Sequence, residues 1–144
     1  MKRPDASRVI NGTYGRIWVD GELWMEVDEF EAKITIAYEE LNFANEPGTF
    51  QKGLGWSGEG TMKIKKIYSR VQRKMAANVR KGIYPRSSIV GKVADPEAHG
   101  AERVALYDTT FSEFMLLKFA QKTVGSEDIP FRFSDYEMLD MIPG

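Results

Sequence analysis

The stretch Tyr14-Gly-Arg-Ile-Trp-Val-Asp-Gly-Glu-Leu-Trp-Met-Glu-Val-Asp-Glu-Phe-Glu-Ala-Lys-Ile-Thr-Ile-Ala-Tyr38 decides the fold class. Tyr14 to Val19 is rich in aromatic and β-branched residues, and the Asp20-Gly21 pair behind it is a strong turn signal. The pair predicts a hairpin. Its second arm alternates through Leu23, Met25 and Val27, then through Phe30, Ala32, Ile34, Ile36 and Tyr38, so the apolar phase slips by one between Val27 and Phe30. One extra residue in a strand restores the buried face, and the slip therefore predicts a β-bulge.

Outward from this stretch the pattern changes several times. Glu39 to Gly55 loses the alternation and contains Asn42, Asn45 and Pro47-Gly48, which reads as a loop longer than most in compact domains. It still carries Leu41, Phe43, Phe50 and Leu54, so it either folds back as a lid or packs on a partner. Trp56, Gly58, Gly60, Met62 and Ile64 alternate with polar residues as in a half-buried strand, and the two glycines mark a bend or the close approach of another group. From Lys66 to Lys81 the apolar period becomes helical, with Gly82 as the stop, which gives a helix over 66–82. Ser88 to Val93, Val104 to Phe111, Phe114 to Phe119 and Ile129 to Phe133 read as further strands, the last placed at or near an edge by Pro130. The expected fold is mainly β, a small barrel or sandwich of about six to eight antiparallel strands with one flanking helix, in a single domain over 1–144.

Charge is sorted along the chain although the net value is only −1. Asp20 to Glu46 holds nine acids against Lys33, whereas Gly60 to Ala94 holds ten bases and no acid. The two blocks can meet within one fold or between copies. The N-terminal stretch has no apolar core of a secretion signal, and no segment approaches the length of a membrane span, so the cytoplasm is the expected compartment.

Catalytic chemistry is poorly represented. There is no cysteine and a single histidine, His99, which leaves few nucleophile and base pairings. Asp95, Glu97 and His99 alternate, but such triplets arise freely in polar loops and do not make a metal site. Gly53-Leu-Gly-Trp-Ser-Gly58 has the spacing of a dinucleotide-binding turn without the strand before it and the helix after it. No cofactor is expected. The basic stretch Lys63 to Lys81 supports one alternative, a small nucleic-acid-binding module, although a basic helix face is more often solvated or paired with acids.

Four stretches carry a family resemblance: Asn11-Gly-Thr-Tyr-Gly-Arg-Ile-Trp-Val-Asp-Gly21, Gly58-Glu-Gly-Thr-Met-Lys-Ile-Lys-Lys-Ile-Tyr-Ser-Arg-Val71, Glu102-Arg-Val-Ala-Leu-Tyr-Asp108 and Ile129-Pro-Phe-Arg-Phe133. In this order the chain resembles the tail tube (tail core) proteins of contractile phage tails, in particular the family of the Bacillus defective prophages. The resemblance implies a non-enzymatic structural subunit, six copies closing into a ring and rings stacking into a hollow tube in a virion tail. It implies that DNA passes through without specific binding, and that tail sheath, tape-measure and baseplate hub proteins are partners. By the same resemblance residues 1–12 form a stacking arm, residues 39–55 form the assembly loop, and Leu41, Phe43, Phe50 and Leu54 make the self-assembly interface. DNA transit favours an acidic or neutral channel, so Glu26, Glu29 and Glu31 are expected at the lumen and the basic helix residues Lys66, Arg70, Arg73 and Lys74 outside it.

Overall fold

The computed structural model describes residues 2–144. Eight strands follow two short 3-10 turns: β1 (Gly15–Val19), β2 (Glu22–Leu23), β3 (Val27–Leu41), β4 (Phe50–Lys65), β5 (Ser87–Val93), β6 (Glu102–Phe111), β7 (Ser126–Phe133) and β8 (Asp135–Asp140). One helix, α1 (Arg70–Arg80), lies between β4 and β5. All pairings are antiparallel, in the order β2-β1-β5-β6-β7-β4-β3, with β8 also on β6.

This single path folds into two layers because two neighbouring strands bend together. The first part of β6 pairs with β5 and with β8, whereas its last two residues, Thr110 and Phe111, pair with β7. The corner is made by Asp108, whose φ is 55°, and by the Ser134 N–H donating to the Tyr107 carbonyl. Strands that change layer at a kink are how a sandwich makes a corner without breaking its ladder. The core lies between the layers and α1, around Trp24, Met62, Ile64, Ile89, Leu106, Ile129 and Phe131. The sheet does not close. An apolar cleft of about 320 Å³ remains between Phe30, Ala32 and Ile34 of β3 and Val93, Val104 and Met138 of the other layer.

The Asp20-Gly21 turn joins β1 to β2 with both residues at positive φ, as a two-residue hairpin requires. The hairpin's second arm is shorter than expected, because β2 ends at Leu23 and β3 pairs with β4. Trp24 turns inward there and is fully buried, which breaks the strand. The bulge lies where the phase slip placed it: pairing passes from Val27↔Ile64 to Glu29↔Lys63, leaving Asp28 as the extra residue.

Gly58 and Gly60 meet the close approach expected of them. A Cβ on Gly60 would lie 2.2 Å from the Glu31 carbonyl oxygen and 2.5 Å from Phe131 Cζ, and one on Gly58 would lie 2.3 Å from the Phe133 ring. Aromatic rings of β7 therefore fill the space that β4 leaves empty.

Four expectations need correction. The helix begins at Arg70 rather than Lys66, because the Lys66 N–H is held by the Gly125 carbonyl and Ile67 and Tyr68 face solvent. Its buried stripe is Val71 and Met75 with Val79 beside them, and Gly82 closes it in the left-handed region, with the Ile83 N–H on the Asn78 carbonyl. Phe114 to Phe119 is not a strand but part of an irregular connection over residues 112–125. Strand β8 occupies a segment with no strand expected. Finally, β7 lies between β6 and β4, not at an edge. Pro130 is tolerated because its carbonyl, and hence its missing N–H, faces β6 just beyond the end of that strand, where the Ser112 N–H bonds to the carbonyl.

Candidate assembly interface

Residues 39–55 are not a patternless loop. β3 continues to Leu41 and β4 begins at Phe50, paired from Ala37↔Gly55 and Tyr38↔Gly53 out to Leu41↔Phe50, with Leu54 as a second bulged residue. Only residues 42–49 form the connection. The third strand is lost at Gly58↔Phe133, so beyond it the hairpin is a two-stranded ribbon. None of residues 35–57 is buried.

The apolar side chains of this ribbon find little cover in their own chain. Phe43 and Phe50 pack edge to face with ring centroids 5.4 Å apart, yet they remain 56% and 44% exposed. Leu54, Ile36 and Tyr38 are exposed, Leu41 is half-buried, and Trp56 packs edge to face with Tyr136 yet stays exposed. An isolated two-stranded hairpin is marginal in water. The ribbon thus presents exposed apolar groups on both faces, the kind of surface that marks contact sites.

The charge blocks meet inside one molecule. Arg70 pairs with the buried Glu26 and with Glu22, and its guanidinium lies 4.5 Å from the Tyr68 ring centre and 5.5 Å from that of Trp24. Lys66 reaches the buried Glu127 at 3.0 Å, and Lys74 reaches Asp20 at 2.9 Å. Arg73 is the exposed member of the expected basic set. Burial raises the Asp20 carboxyl, but the Ser88 N–H and the Lys74 ammonium outweigh it and hold the group below its ordinary value.

Glu26, expected at the lumen, is buried against Arg70 in the single chain. Glu29 and Glu31 are different. They lie on the outer face of the β3–β4–β7 layer with Asp28, Lys33, Glu59, Lys63, Lys65, Asp128 and Arg132, five acids against four bases. Asp95 has a structural task, accepting the Asn11 and Glu97 N–H groups at 2.9 Å and so tethering the N-terminal segment. Among the described residues no cluster of three or more His, Asp or Glu is arranged to hold a metal, and Gly53 to Gly58 lies wholly within β4, which continues to Lys65 with no helix opening at the glycines. No helix of the described residues is long and apolar enough to cross a membrane.

With this geometry in place, comparison with known proteins decides the family. A model of the family described as phage tail tube protein matches residues 2–140. The chain belongs to the phage tail tube protein family. The phage-like element PBSX protein XkdM of Bacillus subtilis strain 168 is 32% identical over 138 residues, 92% of each chain. Two solved structures share the fold at low identity. One is from the sheath–tube complex of an extracellular contractile injection system, with a TM-score of 0.69, 8% identity and coverage of 96% of this chain and 100% of that one. The other is the tube-terminating cap of the anti-feeding prophage, with a TM-score of 0.72, 6% identity and coverage of 98% and 94%. The tail tube protein is thus a structural component of a virion tail, not an enzyme.

Proposed function

We propose that this tail tube protein closes into hexameric rings that stack into a hollow tube for DNA passage, assembled in the bacterial cytoplasm before incorporation into the tail. The exposed apolar ribbon of residues 35–57 is the observation that carries this reading. Leu41, Phe43, Phe50 and Leu54 form its contact surface, and residues 1–12 act as a stacking arm. Among the described residues one side of β3, along its full length from Val27 to Leu41, has no strand partner, and ring closure would pair that edge. Glu29 and Glu31 would then border a channel whose wall is nearly neutral, which lets a polyanion pass without being held. Sheath, tape-measure and baseplate hub proteins are the partners that complete such a tail.

The nucleic-acid-binding alternative weakens because Arg70, Lys66 and Lys74 are already committed to Glu22, Glu26, Glu127 and Asp20. Negative-stain electron microscopy across a concentration series tests the proposal. Rings and rods of constant width should appear as concentration rises, and dispersed monomers at every concentration would refute it.

A further inference from the structure

The connection over residues 112–125 joins β6 to β7 without regular secondary structure. It is held firmly at both ends. Phe114 packs on the core, the Gln72 side-chain amide donates to the Met115 carbonyl at 2.8 Å, and the Gly125 carbonyl accepts the Lys66 N–H at 2.9 Å. Between these anchors Leu116, Leu117 and Phe119 are 79%, 81% and 74% exposed. A long connection without secondary structure is usually functional, and an exposed apolar patch on an anchored segment marks a contact surface.

Its place in the fold says what covers it. β4 runs from Phe50 at the ribbon tip to Lys65, where the 112–125 connection is attached through Lys66 and Gly125. At about 3.3 Å per residue the two ends of this strand lie roughly 50 Å apart. The apolar tip and the apolar connection sit at opposite ends of one rod-like element and cannot cover each other within one molecule. Their charges are complementary as well. The ribbon carries Glu39, Glu40 and Glu46 against Lys52, and the connection carries Lys118 and Lys122 against Glu113, so the first is net acidic and the second net basic.

We propose that residues 112–125 of one copy receive the ribbon tip of another, so that copies join head to tail along the direction of β4. The proposal rests on the tube-subunit reading and adds which two surfaces make the joint. A tip-on-tip contact would set like carboxylates against each other, whereas a tip-on-connection contact matches acids to lysines and repeats without limit.

The chain has no cysteine, so Phe43→Cys and Leu117→Cys introduce the only thiols. The full-length double variant, oxidised under conditions in which the wild type forms rods, should give a ladder of covalent dimers, trimers and longer species on a denaturing gel. Each single variant should give no ladder. Leu117→Asp should abolish rods while leaving the unfolding temperature unchanged. Intact rods of the double variant without a ladder, or Phe43→Cys alone yielding dimers throughout, would overturn the joint and leave the tube reading standing. A wild type that forms neither rings nor rods at any concentration would overturn both.

Discussion

Single residues fix the spacing of the layers. Gly60→Ala would force β3, β4 and the Phe131 ring apart, and the expected loss is about 1–3 kcal/mol, read as a lowered denaturant midpoint. The need for glycine was legible in the sequence, because two missing side chains on an apolar strand face imply that something else fills the space. The role of Glu26 was not legible, since an acid in an alternating strand looks the same whether it faces water or a buried guanidinium. Arg70→Ala should cost about 3–5 kcal/mol, because it leaves the Glu26 carboxylate buried and unpaired. Asp20 has a depressed folded pKa, so its stabilisation is complete above the ordinary value of 3.8 and disappears as pH falls through the lower folded value. Asp20→Asn should therefore lower stability near neutral pH, with the difference from wild type vanishing in strong acid. Thermal scans of both proteins over a pH series check this.

At the scale of elements, the ribbon is where sequence and structure diverge most. Pro47-Gly48 and the asparagines announced the connection correctly, but the flanking residues 39–41 and 50–55 are strand without alternating burial, since neither face is covered. Periodicity reports burial, and a ribbon exposed on both sides has none to report. Phe114 to Phe119 failed in the opposite direction, because an apolar run suggests a buried strand and here most of it faces solvent. The bulge at Asp28 and the stripe of Val71, Met75 and Val79 were legible because Val27 and Phe30 on either side of the bulge, like the stripe itself, pack against the chain's own core. Replacing Phe43 and Phe50 together by serine should leave the unfolding temperature of the free subunit unchanged, since both are exposed, and should suppress rods in electron micrographs.

Over the whole molecule, the sorting of acids and bases resolves in part inside the subunit, through α1 and the turn regions around Asp20 and Glu26. What remains on the β3–β4–β7 outer face is close to neutral. The protein should therefore leave a DNA column at low salt, and retention that weakens steeply with added salt would point to a binding module instead. The expected sites split along the same line. Glu26 is buried in the single chain, whereas Leu54, Phe43 and Phe50 are exposed, as the proposed contact between copies requires.

On the proposed reading the ribbon is incomplete in a single molecule and completed by others. Amide hydrogen exchange of residues 35–57, measured in dilute subunit and again in the concentrated, assembled state, tests it most directly. Fast exchange in the first state and strong protection in the second is the predicted result. Equal protection in both would contradict it.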